Sequence, residues 1–283
     1  MTKKINRSGY GNFLSLFVLF AFASIMVLPL IFAISNAFKP LDEIFLFPPR
    51  FFVVNPTFDN FFDLFALMSN SWIPFSRYFF NTVFITVTGT VGHVILASAA
   101  AYPLAKYKFP GSEMMFRLIV LSLMFSATVT AIPNFMIIAG IGWLDTYAAV
   151  IVPAFASSLG LYLMKQFMER IPDTLIEAAK IDGASEYRIY LRIIMPMVKP
   201  AWLTLVILMF QTLWGATGAG ANFIFSEELK TMHFAVSQII GGGIARAGTA
   251  AAVSVLLMIV PITVFIVSQS SIIETMAASG MKE

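Results

Sequence analysis

The chain has 283 residues, of which 59% are hydrophobic and only 12% are charged, and its formal net charge is +3. Soluble proteins carry about 25% charged residues, so this composition excludes a soluble globular fold and indicates a protein that lies largely in lipid. The absence of cysteine excludes disulfides, thiolate metal sites and cysteine nucleophiles, and the small net charge argues against a nucleic-acid-binding surface.

Six apolar stretches are each long enough to cross about 30 Å of hydrocarbon as a helix, and they predict an all-α integral membrane fold with six transmembrane helices. None of them contains Asp, Glu, Lys or Arg. In chain order the predicted spans are Phe13–Ile34, Phe79–Tyr102, Leu118–Ile138, Tyr147–Met164, Trp202–Ala221 and Thr249–Ile272. The first could instead be a cleaved signal peptide, but its apolar run is longer than a usual signal sequence, and we interpret it as a retained helix.

The distribution of Lys and Arg predicts the orientation in the membrane. If the N-terminus is inside, most of these residues fall on inner segments, as the positive-inside rule requires. Both termini, residues 1–12 and 274–283, are then cytoplasmic, and residues 13–273 form a single transmembrane domain. The outer loop 35–77 includes a stretch, Thr57–Leu67, with the spacing of an interfacial helix. The inner loop 165–200 holds most of the charged residues of the second half of the chain.

The pattern of this inner loop predicts two short helices with a tight bend. Pro172 and Asp173 suit the first turn of a helix, where a missing N–H and a negative charge are tolerated or favoured. Gly183 supplies a helix stop. Ser185 can cap a second helix that runs through Ile194 and ends near Pro196. The pattern alone is equally compatible with a solvated amphipathic linker.

Four motifs in the loop match a known family at the right spacing: Glu177-Ala178-Ala179, Asp182-Gly183-Ala184, Ile193-Ile194-Met195-Pro196 and Lys199-Pro200. They resemble the "EAA" loop of ABC importer permeases, with Met195 where that family usually has Leu. The segments Phe38-Lys39-Pro40, Glu43-Ile44-Phe45, Arg77-Tyr78-Phe79, Phe109-Pro110-Gly111 and Asp145-Thr146-Tyr147 resemble its carbohydrate branch, the permeases similar to the maltose-transporter G subunit.

The resemblance implies the type I ABC importer permease fold in a bacterial cell membrane. It also implies a second homologous permease, two ATP-binding subunits, an extracytoplasmic solute-binding protein and a carbohydrate substrate, most simply an oligosaccharide. The loop would dock on an ATPase through Glu177, Ala178, Ala179, Asp182, Gly183 and Pro196. ATP and Mg²⁺ would bind to the ATPase, because this chain has no Gly-x-x-x-x-Gly-Lys-Ser/Thr run; we expect no cofactor, metal or catalytic site on it.

Polar residues in or near the spans are candidates for the substrate path, because hydrocarbon leaves such groups unsatisfied. We select Asn134, Gln211, Trp214 and Asn222, since amides and aromatic rings bind sugars; the alternative is that they join helices. His93, the only histidine in a span, is interpreted as a packing residue. A secondary transporter is the alternative function, but it usually needs an acidic residue in a span, and the predicted spans have none. The Gly- and Ala-rich sequence after Trp214 departs from the relatives and leaves the sugar unnamed.

Overall fold

The computed structural model describes residues 9–69, 73–215, 222–241, 243 and 246–280. Within these residues the chain is helical or irregular and has no β-strand, which confirms the all-α prediction. The helices are α1 (Gly9–Ala37), α2 (Leu41–Ile44), α3 (Asp59–Ser69), α4 (Phe75–Lys106), α5 (Ser112–Ser122), α6 (Ala127–Gly140), α7 (Ala148–Phe155), α8 (Ser158–Glu169), α9 (Asp173–Ile181), α10 (Glu186–Ile189), α11 (Met195–Met197), α12 (Lys199–Trp214), α13 (Met232–Ile240) and α14 (Ala247–Gly280).

Four segments of the described chain are long and apolar enough to cross a membrane. They are Gly11–Ala37, Phe75–Lys106, Ala148–Glu169 and Ala247–Gln269. A fifth crossing is possible if Glu186–Met197 and Lys199–Trp214, which meet at an angle of 77°, form one bent span. The count of six spans therefore stays a prediction.

The third predicted span is divided in the structure. A turn at residues 123–126 separates α5 from α6, and Ser126 there adopts an extended backbone before α6 begins. Pro133 lies inside α6 and does not end it. The residues of the turn are mostly apolar, so hydropathy alone does not reveal the break.

Several helices extend beyond the apolar stretches that predicted them. The second span begins at Phe75 and ends at Lys106, and the last helix continues to Gly280, through most of the segment interpreted as a polar tail. Hydropathy marks only the part of a helix that lies in hydrocarbon, whereas the backbone hydrogen bonds continue into the polar zone.

The chain forms two compact units, residues 1–71 with 236–259 and residues 72–235 with 260–283. In the second unit α4 packs closely on its neighbours at small residues. A Cβ atom on Gly89 would lie 2.5 Å from Leu213, and one on Gly160 would lie 1.9 Å from His93 Nε2. His93 is fully buried, and its Nδ1 lies 3.2 Å from the carbonyl of Phe155. Glycine at these positions allows helix backbones to approach, as is usual between membrane helices.

Candidate functional site

The first helix of the inner loop, α9, ends as its sequence predicts. Gly183 has φ +75°, the left-handed conformation that ends many helices. The amide of Ala184 donates to the carbonyl of Ala179 at 2.9 Å, and the amide of Gly183 donates to that of Lys180 at 3.0 Å. These two bonds form a Schellman motif and satisfy carbonyls that the helix end leaves free. The helix stop predicted at Gly183 is confirmed.

The two faces of α9 differ in their surroundings. Ile176 and Ala179 are buried and pack in a core with Met168, Ile171 and Ile189. The opposite face is exposed and carries Glu177, Ala178, Ile181 and Asp182. The two alanines of the motif therefore have different surroundings: Ala178 lies on the open surface, whereas Ala179 packs against its own chain.

The second part of the loop is less regular than predicted. Ser185 occupies the N-cap position of α10, but its side chain makes no capping hydrogen bond. A π-helical segment, Tyr190–Ile194, joins α10 to α11. Pro196 is exposed inside α11, and the helix ends after Met197, close to the predicted end near Pro196. The chain then bends into α12 at Val198, between two prolines that disfavour a straight helix.

Lys106, at the C-terminal end of α4, holds the start of α9. Its side chain is only 3% exposed, and its Nζ donates to Asp173 Oδ1 at 2.7 Å and to the carbonyl of Ile171. Buried ammonium groups need such partners because burial removes their water. This residue was not predicted as part of the site. The only sequence signal is a lysine at the end of a span.

We expect Lys106→Met to weaken the attachment of α9 to α4. Methionine keeps a similar apolar stem but loses hydrogen bonds to a charged group that are worth roughly 1.5–3 kcal/mol. The melting temperature of the purified protein should fall. Lys108→Met is the matched control, since Lys108 is exposed two residues later. Equal behaviour of the two variants would contradict the role of Lys106.

A second group of polar side chains joins α4, α9 and α10. Lys180 Nζ lies 2.8 Å from Glu186 Oε1, and Tyr102 donates to Glu186 Oε2 at 3.0 Å. Tyr107 also donates to Glu186 and accepts from Lys180 at 3.2 Å. The hydrogen bond with Glu186, followed by that with Tyr107, raises the pKa of Lys180. Its stabilising contribution is therefore fully present at neutral pH and is lost only as the pH rises through this raised pKa.

The same network continues along α4 through Ser98. Its hydroxyl lies 2.7 Å from the hydroxyl of Tyr190, in the π-helical segment, and the ring centroids of Tyr190 and Tyr102 are 5.6 Å apart. Movement of α10 would therefore displace Ser98 and Tyr102 in the C-terminal part of α4. π-Helical turns often occur at functional positions.

The four candidates for the substrate path differ in their exposure. Asn134 and Gln211 are exposed on α6 and α12, and Asn222 is exposed next to Phe223. Trp214 is only 4% exposed, and its ring stacks on Phe210 at 5.4 Å. A buried ring of this kind offers less surface to a sugar than we expected, whereas the exposed amides remain accessible.

Asp145 holds the segment that begins at residue 222 against the start of α7. It has φ +60° and accepts hydrogen bonds from the amides of Phe225 and Ser226 at 2.9 and 2.8 Å. Hydrogen bonds from the Ser226 side chain and amide are the main causes that lower the pKa of this carboxyl. The carboxylate is therefore charged at neutral pH and keeps its role as an acceptor.

Asn81, in the first turns of α4, holds the next part of the same segment. Its amide donates to the carbonyls of Glu228 and Lys230 at 2.8 and 2.9 Å, and its oxygen accepts from Tyr147 at 2.6 Å. Asp145 entered the sequence analysis only as a point of resemblance, and no structural role was predicted for Asn81. Their structural roles could not be read from the sequence, because their partners lie between 66 and 149 positions away along the chain.

Residues 93–276 match the protein family described as "Binding-protein-dependent transport system inner membrane component". The polygalacturonan/rhamnogalacturonan transport system permease protein of Bacillus subtilis is 32% identical over 69% of this chain and 66% of its own length. The chain thus spans just under two thirds of that relative. The arabinooligosaccharides transport system permease protein of Halalkalibacterium halodurans is 27% identical over 93% of this chain and 94% of its own length.

Two solved structures have a similar fold. A chain of a bacterial ABC transporter involved in the import of the acidic polysaccharide alginate superposes with a TM-score of 0.80. It covers 93% of this chain and 98% of its own length at 22% identity. A chain from the bacterial alginate ABC transporter in complex with an alginate pentasaccharide-bound periplasmic protein has a TM-score of 0.58 at 15% identity, over 89% and 92% of the two chains.

Proposed function

The chain belongs to the family of binding-protein-dependent transport system inner membrane components, and from this premise we propose that it is the permease subunit of an ATP-driven carbohydrate importer. The observation that carries the proposal is the exposed face of α9, which ends at the left-handed Gly183. The names of two relatives support an oligosaccharide as the cargo. Another relative, a permease protein of Yersinia enterocolitica, serves sn-glycerol-3-phosphate, so the cargo should be tested rather than assumed.

We propose that the exposed face of α9 docks on an ATP-binding subunit. Ala178 is small and allows the backbone of a partner to approach, while Glu177 and Asp182 provide charge at the rim. The side chain of Ile181 is 87% exposed, which is unusual for an isoleucine in water and is explained by a partner that covers it. Ala179 acts indirectly, because its small side chain lets α9 lie close to its own core.

The contacts behind α9 would carry the motion of the ATPase into the membrane. Lys106 links the first turn of α9 to the inner end of α4, and Glu186 links α10 to the same helix through Tyr102. α4 in turn packs on the helices that follow it through Gly89 and Gly160. Closure of the ATPases on ATP would then shift the permease between states that open to opposite sides.

The remaining parts of the proposal concern orientation and partners. Docking requires loop 165–200 to be cytoplasmic, which also places both termini inside if the chain crosses the membrane six times. ATP and Mg²⁺ would bind to the ATPase and not to this chain, which acts as a non-catalytic subunit. A second permease would complete the path, and an extracytoplasmic binding protein would deliver the sugar. Asn134, Gln211 and Asn222 would contact it, with a smaller contribution from Trp214.

Reconstitution tests this function directly. The chain should be co-expressed with a second permease and an ATPase encoded beside it, purified in mild detergent, and placed in liposomes with the binding protein. We expect uptake of labelled oligosaccharide that requires ATP on the loop 165–200 side and stops without the ATPase. Uptake that instead follows an imposed proton or sodium gradient, with no ATPase present, would favour the secondary transporter. Arabino-oligosaccharides, rhamnogalacturonan fragments and sn-glycerol-3-phosphate form the first substrate panel.

A further inference from the structure

The first outer loop carries a set of exposed phenylalanines that the transport function does not explain. We call them the phenylalanine belt: Phe45, Phe47, Phe52, Phe58, Phe62 and Phe65. Each is at least half exposed, and Phe47 is 94% exposed. Single exposed apolar residues need no explanation, but six large exposed rings between positions 45 and 65 indicate a surface that meets something other than water.

The belt is presented by a well-defined loop. Lys39 is buried, and its Nζ donates to Asn36 Oδ1 at 2.7 Å and to the carbonyl of Arg50. The buried carboxylate of Glu43 accepts from the amides of Val54 and Asn55 at 2.9 and 3.3 Å. These contacts fix the loop from inside, so the rings on its surface are held outward.

Asn60 ties the same loop to two long helices. Its amide donates to the carbonyls of Ala37, the last residue of α1, and of Lys39 at 2.9 and 2.7 Å. Its oxygen lies 2.0 Å from the position that a Cβ atom on Gly248, in the first turn of α14, would occupy. The loop is therefore a rigid platform at the ends of α1 and α14.

Ring contacts join two members of the belt to the C-terminal part of α1. Phe51 lies 5.4 Å from Phe32, which is in α1, and 5.0 Å from Phe52 in the belt. Phe38, just after α1, lies 5.3 Å from Phe58. The apolar segment Gly11–Ala37 is long enough to cross the hydrocarbon, so its end marks the level where hydrocarbon meets the head groups. The loop that carries the belt begins at that level.

α3 has three distinct faces. Phe58, Phe62 and Phe65 have the i, i+4, i+7 spacing of one exposed stripe. Asn60 and Leu64 form the buried face, and the acidic residues at positions 59 and 63 lie on the remaining, exposed face. One face of this helix therefore packs on the protein, a second is apolar and exposed, and a third is charged and exposed. Such a helix is typical of the membrane interface.

We propose that residues 45–65 lie in the interface of the bilayer at this end of α1, with the phenylalanine belt among the lipid acyl chains. The exposed guanidinium of Arg50, inside the belt, is then at the level of the lipid phosphates, where its charge is complementary. Lipid, rather than a second protein, is the occupant because the exposed stripe Phe58, Phe62 and Phe65 borders an exposed acidic face on the same helix, which is the pattern of a helix in a bilayer interface. The platform thereby fixes the ends of α1 and α14 to the membrane surface, independently of the cargo and of the ATPase.

Spin labelling tests the proposal, and the absence of cysteine means that single labels can be introduced directly. Phe47→Cys and Phe62→Cys report on the belt, and Asp63→Cys is the matched control on the acidic face of the same helix. The labelled chain is assembled with its partner subunits in nanodiscs of phosphatidylethanolamine and phosphatidylglycerol. Power saturation with oxygen and with nickel-EDDA then measures access from lipid and from water.

We expect oxygen to relax the labels at 47 and 62 several-fold more effectively than nickel-EDDA does, with the reverse order at 63. Access of nickel-EDDA to all three positions would place the belt in water and overturn the proposal. Immobile labels at 47 and 62 that neither reagent reaches would show that a protein covers the belt, which also overturns it. Phe65→Cys provides a second reporter on the stripe if the Phe62 variant assembles poorly.

Discussion

Replacing Gly183 with Asp is expected to leave the chain in the membrane at its normal level and to reduce ATP-driven uptake by about tenfold or more. A side chain at this residue meets nothing of its own chain within 4 Å, so the fold has room for it. The new aspartate would instead add a negative charge to the exposed face that carries Glu177 and Asp182 and is proposed to meet the ATPase. A loss of about 1.4 kcal/mol in the coupled state is enough for a tenfold effect.

Gly111→Asp separates this effect from backbone strain. Gly111 also has a left-handed backbone, with φ +87°, and also has open space around its Cα. Both substitutions place a non-glycine residue where it costs roughly 1–2 kcal/mol, so they should destabilise the fold similarly. Uptake and ATPase activity are measured in the same liposomes. Normal uptake in the Gly183 variant, or an equal loss of uptake in the Gly111 variant, would show that Gly183 has no specific role in coupling.

The end of α9 could be predicted from the sequence because its causes are local. Glycine in the left-handed conformation and two backbone bonds over five residues are enough to stop a helix, whatever lies around it. The apolar composition of the spans is local in the same sense. These features depend on residue type and spacing, which the sequence states directly.

The contacts that hold the site depend on tertiary structure and could not be predicted. Lys106 and its partner Asp173 are 67 positions apart in the sequence, and Tyr102 and its partner Glu186 are 84 positions apart. The periodicity of α9 shows that Ala178 and Ala179 lie on different parts of the helix, but not which of them the rest of the chain covers. The turn between α5 and α6 is equally hidden, because its side chains are as apolar as those of the helices that it separates.

The exposed side chain of Ile181 gives the most direct test of the proposed dock. We expect Ile181→Glu to leave the membrane level and the melting temperature unchanged, because the side chain is 87% exposed and supports nothing in its own chain. Burying an isoleucine at an interface gains about 1.5–3 kcal/mol, and an unpaired carboxylate there would be unfavourable. The ATPase should therefore bind about tenfold more weakly or worse, as measured by its recovery with the purified permease.

Ile141→Glu is the matched control for this substitution. Ile141 is also an exposed isoleucine, in the turn after α6, and by the predicted topology it lies on the opposite side of the membrane. It should retain the ATPase fully. If Ile181→Glu also retained it, α9 would not be the docking element, even though the chain remains a member of its family. If the ATPase were lost from the Ile181 variant alone, the exposed face of α9 would be the point at which ATP-driven motion enters the permease.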